Sequence, residues 1–195
     1  QVLSYLEGDF SKGEKNFINF ISTYLIDNKI SLSKNNLIVD LGCGPGNITE
    51  KLSQKWPKVP ILGVDGSQEM INAAKYKKNL KTNGHDYKNI EYICADIKKI
   101  GLNSISPQKN VSLLVSNSLI HHITSADEFF ECICKLSTKE TINFHKDLIR
   151  PKDEKTALKL KAKSALKFSE TLTNDYFASL KASYREEELR DIISE

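Results

Sequence analysis

Residues 39–47 read Val39-Asp40-Leu41-Gly42-Cys43-Gly44-Pro45-Gly46-Asn47 and carry the clearest structural signal in the chain. The apolar run Leu37-Ile38-Val39 has the length and composition of a strand buried on both faces of a parallel sheet. Asn47, with Glu50 three residues later, has the spacing of a capping box, which predicts that Asn47 caps a helix. The three glycines therefore lie in a strand-to-helix turn, where a ligand can approach the backbone without meeting a Cβ atom.

The spacing of the glycines narrows the choice of ligand. A dinucleotide-binding fingerprint requires a third glycine three residues after the second, and this chain has Asn47 at that position. NAD and FAD are therefore disfavoured. The form Gly-x-Gly-x-Gly, with Asp40 two residues before the first glycine, resembles motif I of the class I S-adenosylmethionine-dependent methyltransferases. This resemblance covers about residues 5–195.

Acidic residues also follow the next two predicted strands. Asp65 ends the second strand and Asp96 follows the third, so that they join Asp40 at the carboxyl edge of the sheet, where open α/β sheets bind ligands. A carboxylate at the edge of a buried sheet needs partners. Asp65, about 20 residues beyond the glycine turn, is placed to accept both ribose hydroxyls of an adenosyl group. The alternative role is a helix N-cap, which Ser67 is available to fill.

The resemblance implies a contact for each residue near these strand ends. The glycines would cradle the methionine part of the cofactor, Asp65 the ribose, and Asn117 the amino-acid end. An apolar wall near the adenosine is the implied role of Met70, although the core face of a helix also accounts for it. The implied cofactor contacts are Asp40, Gly42, Gly44, Gly46, Asp65, Gly66, Ser67, Met70, Asp96, Ile97 and Asn117, with Asp96 and Ile97 at the adenine.

Candidates for the acceptor side follow the fourth predicted strand. His121 and His122 are adjacent, so on a helix they would point about 100° apart, and at most one would line a substrate cavity. Either could act as a general base, because imidazole titrates near neutral pH, or could only cap or pack the helix. Near the start of the chain, Tyr5 is a candidate aromatic residue of a lid over the methyl group, and the alternative is that it only packs against the N-terminal segment. Arg150 could hold an acidic substrate group, although an ion pair with Asp147 is the commoner arrangement.

The predicted fold is α/β, a doubly wound, Rossmann-like and mostly parallel sheet that lacks the last two strands of the family's seven. One methyltransferase domain is expected over residues 1–195, with an N-terminal lid segment (1–30), a cofactor-binding core (31–150) and C-terminal helices (151–195). Truncation of the C-terminal segment is one explanation of the missing strands, and cover by a second copy of the chain is the other. Residues 152–176 are expected to be helical, with an inner apolar stripe formed by Leu158, Ala162, Ala165, Leu166 and Leu172. The fifth strand would leave an open edge, which favours a homodimer.

Composition restricts the class of protein. The chain has 195 residues, 39% apolar and 27% charged, which is typical of a globular domain without a membrane span. Its four cysteines have neither zinc spacing nor a disulfide framework, which predicts reduced thiols, a cytoplasmic location and no metal site. A net charge of +3 falls short of the strongly basic signature of a nucleic-acid binder, so nucleic acid is not the expected partner.

The expected function is transfer of a methyl group from S-adenosyl-L-methionine to a small-molecule acceptor. Two alternatives come from other classes. One is a non-catalytic cofactor-binding or interaction module, favoured by the missing strands. The other is an RNA or protein methyltransferase, although the chain lacks the Asn-Pro-Pro-Tyr type of tetrapeptide used on flipped-out bases.

Overall fold

The structure is a computed structural model that describes residues 10–80, 85–105 and 110–194. Tyr5 lies outside the described residues. Contacts divide the described chain into two compact units. The sheet unit comprises residues 10–117 and 132–146, and the helical unit comprises residues 118–131 and 147–194.

A parallel sheet of five strands lies in the sheet unit. Its strands are β1 (Leu37–Leu41), β2 (Ile61–Asp65), β3 (Ile90–Cys94), β4 (Val111–Asn117) and β5 (Ile142–Lys146). Their spatial order is β3-β2-β1-β4-β5, so the order of the strands reverses between β1 and β4. This order confirms the predicted doubly wound, Rossmann-like α/β fold with fewer than seven strands in the described chain.

Helices connect and follow the strands. They are α1 (Ser11–Asp27), α2 (Asn47–Lys55), α3 (Gln68–Asn79), α4 (Leu102–Ile105), α5 (Ala126–Leu136), α6 (Glu154–Ala165), α7 (Glu170–Ala182) and α8 (Glu186–Ser194). Two short 3₁₀ turns occupy Ile97–Lys99 and Ile120–His122. Among the described helices, none combines the length and the apolar character that crossing a bilayer requires.

The core of the sheet unit is centred on β1. Every residue of β1 is buried, because its neighbours β2 and β4 flank it and both faces of the sheet are covered. The helix α1 contributes Phe17, Ile21 and Leu25 to the same core at helical spacing. The glycine turn therefore starts from the most constrained strand of the unit.

The helical unit differs from the sequence expectation in two ways. Residues 152–176 do not form one helix, because α6 ends at Ala165 and Ser169 caps α7 by accepting a hydrogen bond from the Leu172 amide at 3.4 Å. The predicted inner stripe is also wrong in part. Leu158 and Leu166 are 50% and 85% exposed, whereas Leu172 is buried as expected. Because the helix is interrupted between Ala165 and Glu170, the residues before and after the interruption do not follow one helical period and do not share one face.

Among the strands that the structure describes, β5 lies at one edge of the sheet and pairs with β4 alone. Its residues alternate between partial burial and exposure, apart from the buried Phe144. Pairing of this edge with a second copy of the chain stays a prediction.

Candidate functional site

The glycine turn has a backbone that only glycine adopts readily. Gly42, Gly44 and Gly46 have φ values of 65°, 52° and 85°, all in the left-handed region. The Gly46 amide donates to the Cys43 carbonyl at 3.0 Å, and the Cys43 amide donates to the Val64 carbonyl at 3.0 Å. The turn is thereby closed on itself and joined to β2.

Gly46, and not Asn47, is the N-cap of α2, and no side chain caps this helix. The predicted capping box is therefore wrong. Asn47 lies inside the first helical turn, where its side-chain amide bonds to Glu14 and Lys77 and not to its own helix. Glu50 is buried and lies 3.4 Å from the Lys77 ammonium.

The turn is tight on one side and open on the other. A Cβ atom at Gly46 would lie 2.3 Å from the Tyr92 hydroxyl oxygen, so Tyr92 of β3 fills the space beneath the turn. A Cβ atom at Gly44 would meet no atom within 4 Å. The open side at Gly44 is where a ligand can approach the backbone.

The carboxylate of Asp65 is held by two backbone amides. Its Oδ2 accepts from the Gly44 amide at 2.8 Å, and its Oδ1 accepts from the Ser67 amide at 2.8 Å. Ser67 is the N-cap of α3, with its hydroxyl accepting from the Met70 amide at 3.3 Å, which confirms that Ser67 is the residue that caps this helix. The ribose contact of Asp65 stays a prediction. Each carboxylate oxygen keeps further lone-pair capacity for a ligand hydroxyl.

The sheet register brings three of the predicted site residues to one level. Leu41 of β1 pairs with Val64 of β2 and with Ser116 of β4. The residues that follow these three are Gly42, Asp65 and Asn117. Glycine turn, acid and amide therefore lie side by side at the carboxyl edge of the sheet, where ligands of open α/β sheets bind.

Asn117 carries an unsatisfied acceptor. In the described structure its side-chain Oδ1 is buried without a hydrogen-bond partner. A buried acceptor without a donor is unfavourable by about 1–3 kcal/mol, and a ligand donor would remove that penalty.

Asp40 lies inside the sheet and not on its surface. Its side chain accepts a 2.6 Å hydrogen bond from the Thr49 hydroxyl of α2, and only 1% of the residue is exposed. Burial raises the pKa of Asp40 to about 7, with the nearby Asp65 carboxylate adding to the rise, although the Thr49 hydrogen bond opposes it. No sequence pattern had indicated Thr49 as the partner of this acid.

The residues expected at the adenine lie beyond β3. Asp96 is exposed and caps the 3₁₀ turn by accepting from the Lys98 amide at 3.0 Å, while the Ile97 side chain is buried. The Ala95 amide donates to the Asp65 carbonyl at 2.9 Å, which ties this segment to the end of β2. Met70, on the first turn of α3, is half-buried.

A pair that the sequence did not indicate joins β4 to β5. The buried Ser116 hydroxyl and His145 Nδ1 are 2.9 Å apart. Burial lowers the pKa of His145 to about 4, so this imidazole is neutral at physiological pH.

The two candidate histidines lie in the helical unit. His121 is buried and its Nδ1 lies 2.5 Å from Asp147 Oδ1, while Asp147 Oδ2 accepts from the Ile120 amide at 2.6 Å. The predicted ion pair between Asp147 and Arg150 is wrong, because Asp147 binds the turn of His121 and Arg150 pairs with Glu188 of α8.

The predicted divergence of the two imidazoles is also wrong. The segment is a 3₁₀ turn and not an α-helix, and the ring centroids of His121 and His122 lie 4.2 Å apart with 41° between the ring planes. His122 is exposed, so of the pair it is the one that solvent reaches.

Comparison with known proteins identifies the family. Residues 38–139, which span β1 to the end of α5, match the family model described as a methyltransferase domain. The chain belongs to the methyltransferase domain family. The resemblance to class I S-adenosylmethionine-dependent methyltransferases, based on the glycine turn and the acids at the strand ends, is thereby confirmed.

Curated relatives match about half of this methyltransferase chain. A malonyl-[acyl-carrier protein] O-methyltransferase of Bacillus anthracis is 31% identical over 93 residues, which cover 48% of this chain and 30% of that protein. A trans-aconitate 2-methyltransferase of Streptomyces coelicolor is 34% identical over 94 residues, covering 48% of this chain and 28% of that protein. The matched segments span about three tenths of these relatives.

Solved structures share the fold over nearly the whole chain. The plantazolicin methyltransferase BpumL, in complex with a pentazolic desmethylPZN analog and SAH, has a TM-score of 0.73 at 21% identity, covering 95% of this chain and 64% of that chain. The YcgJ protein from Bacillus subtilis has a TM-score of 0.60 at 15% identity, covering 90% of this chain and 67% of that chain. At this identity the two likenesses establish the fold.

Proposed function

We propose that this methyltransferase chain binds S-adenosylmethionine at the glycine turn and transfers its methyl group to a small-molecule acceptor. The observation that carries the proposal is the Asp65 carboxylate, aligned by the amides of Gly44 and Ser67 beside three glycines with left-handed backbones. This arrangement presents an acceptor for two vicinal hydroxyls next to backbone that a ligand can approach closely.

The residues at the carboxyl edge fit such a ligand. The open side of Gly44 leaves room for the methionine part, and the unsatisfied Oδ1 of Asn117 suits its ammonium group. Asp65 would bind the ribose, with Gly66 and Met70 beside the adenosine. Asp96 and the backbone of Ile97 would bind the adenine. Asp40 would act from inside the sheet, through Thr49, by fixing the start of α2.

When bound, the cofactor supplies a methyl group activated by its sulfonium. The protein's own part is to hold the two reactants in line and to exclude water. Asp65 and Asn117 would fix the two ends of the cofactor, and the glycine turn would hold its middle. A protein base is required only if the nucleophile arrives protonated.

The names of the relatives point to acids as acceptors. One acts on malonyl-[acyl-carrier protein] as an O-methyltransferase, and the other acts on trans-aconitate. Malonyl groups and aconitate are carboxylic acids, whose ionised oxygens accept a methyl group without a base. We extend this acceptor class, a small carboxylic acid, to the present chain. For a hydroxyl or ammonium acceptor a base is required, and His121 and His122 stay the candidates, of which His122 is the exposed one.

Isothermal calorimetry with S-adenosylmethionine, and with NAD as the control, tests the cofactor assignment. Binding of S-adenosylmethionine alone is the expected result. Transfer of a labelled methyl group to trans-aconitate and to other small di- and tricarboxylates then tests the acceptor class. Binding without transfer to any acid would contradict the acceptor proposal, and binding of NAD alone would contradict the cofactor proposal.

A further inference from the structure

A network of buried and half-buried polar side chains contacts the glycine turn. Asn47 begins α2, and its Nδ2 donates to Glu14 Oε1 on α1 at 3.1 Å. Its Oδ1 accepts from the Lys77 ammonium on α3 at 2.7 Å, and Lys77 also donates to the carbonyl of Pro45 at 3.1 Å. One amide side chain therefore joins the turn to two helices that are distant in sequence.

Ion pairs at both ends of the network fix the charged groups. Glu14 Oε2 lies 2.6 Å from the Lys51 ammonium, and Lys77 lies 3.4 Å from Glu50 Oε1. The side chains of the two acids are only 9% and 10% exposed, and those of the two lysines 23% and 18%. Groups this deeply placed depend on their partners, because an unpaired charge away from water is strongly unfavourable.

The polarity of the partners determines how the Asn47 amide is oriented. A Glu14 carboxylate only accepts, so it requires the NH₂ group, whereas the Lys77 ammonium only donates, so it requires the carbonyl oxygen. No other assignment of the amide satisfies both partners. The position therefore discriminates between asparagine and the nearly isosteric aspartate.

We infer that Asn47 is a positioning residue for the cofactor site. Through its hydrogen bonds to Glu14 and Lys77, Asn47 holds the glycine turn in its binding conformation. The inference rests on the proposed function, since it concerns the same turn. Glycines lose more conformational freedom on ordering than other residues, so a turn with three of them loses much entropy if a ligand has to order it. The network orders the turn in advance, because Lys77 anchors the Pro45 carbonyl and Asn47 anchors the start of α2.

A charge-swapped pair of variants tests the inference. Asn47→Asp places a carboxylate against Glu14, removes the donor and should weaken the affinity for S-adenosylmethionine about tenfold or more. Glu14→Gln combined with Asn47→Asp reverses the polarity of that one hydrogen bond, keeps an acceptor for Lys51 and for Lys77, and restores the net charge. The double variant should recover the wild-type affinity to within about threefold.

The hydrogen-exchange rates of the Gly44 and Gly46 amides measure the order of the turn without a ligand. Both amides are hydrogen-bonded, to Asp65 and to Cys43, so their exchange reports how well the turn is ordered. We expect faster exchange in Asn47→Asp and wild-type exchange in the double variant. A general loss of stability would speed exchange across the sheet and would not be specific to the turn.

The outcomes separate this inference from the proposed function. Wild-type affinity in Asn47→Asp, or no recovery in the double variant, would overturn the inference while the cofactor assignment stands. Should the wild-type chain not bind S-adenosylmethionine, the proposed function fails, and the exchange rates alone decide whether Asn47 orders the turn. If Asn47→Asp does not fold, Lys77→Met takes its place, with the exposed Lys75→Met of the same helix as the charge-matched control.

Discussion

The backbone amide of Gly44 donates a 2.8 Å hydrogen bond to Oδ2 of Asp65, so the glycine turn after β1 is joined directly to the acid at the end of β2. Asp65→Ala removes both the proposed ribose acceptor and this anchor of the turn. We expect its affinity for S-adenosylmethionine to fall by at least about tenfold, since hydrogen bonds to a charged group contribute about 1.5–3 kcal/mol each. Calorimetry measures the loss, with the exposed Asp127→Ala as the control. Retained affinity in a folded variant would contradict the ribose assignment.

Gly46→Ala tests the tight side of the turn. The alanine would have to keep the φ of 85° that Gly46 has, and its Cβ atom would lie 2.3 Å from the Tyr92 hydroxyl oxygen. We expect the free energy of unfolding to fall by roughly 2–4 kcal/mol, from the left-handed backbone and from overpacking. Urea unfolding measures the change. Gly13→Ala in α1 is the matched control, because its Cβ would meet only the end of the flexible Lys146 side chain, at 3.7 Å. Equal stability of the two variants would contradict the geometry described for Gly46.

The buried Asp40 predicts a pH dependence of stability. Its pKa is about 7 in the folded chain and near 3.8 when unfolded, so between these values the folded state binds more protons than the unfolded state. The contribution of Asp40 to stability is therefore fully present below about pH 4 and is lost as the pH rises through about 7. Asp40→Asn keeps an acceptor for Thr49 and cannot ionise. We expect it to be more stable than the wild type at pH 8, by up to about 4 kcal/mol.

Chemical unfolding at a series of pH values measures this effect. The difference in the free energy of unfolding between wild type and Asp40→Asn should be small near pH 4 and should grow towards pH 8. His145, with its pKa lowered by burial, contributes a slope of the opposite sign between about pH 4 and 6.5, but that slope is common to both proteins and cancels in the difference. A difference that does not change with pH would show that Asp40 titrates normally.

We expect replacement of His121 and of His122 by alanine to have different effects on the stability of the protein. His121→Ala leaves the buried Asp147 carboxylate without its imidazole partner and should lower the free energy of unfolding by about 2–3 kcal/mol. The exposed His122→Ala should change stability by less than about 0.5 kcal/mol. Denaturant unfolding measures both, and turnover with an acceptor found by the labelling assay shows whether either residue takes part in the reaction. Wild-type turnover in both variants would remove both from catalysis.

The sequence was most informative where the signal is local. The glycine turn, the strands on either side of it and the acids at the strand ends follow from short patterns in which backbone requirement and residue type coincide. Ser67 lies directly before the predicted helix, so its capping role could be predicted from the sequence.

Side-chain partners distant in sequence were not predictable in the same way. Asn47 has a capping residue's chemistry, but its partners Glu14 and Lys77 lie 33 and 30 positions away, and they determine where its amide binds. Asp147 was assigned to the nearby Arg150, whereas its actual partner, His121, is 26 positions away. Local propensity cannot rank such contacts, because packing decides which of several possible polar partners comes within reach.

The pairing of β1 with β4 also affects the order in which the protein assembles. The strands β1 and β2, with α2 between them, form a local βαβ unit that contains the whole glycine turn and ends at Asp65. The opposite neighbour, β4, comes from much further along the chain, with β2 and β3 intervening, so its pairing has to close a far longer loop. Asn117 belongs to β4, the strand that we expect to pair later. A nascent or partly folded chain is therefore expected to possess the turn before it possesses the site, and affinity for the cofactor should appear only in the last stage of refolding.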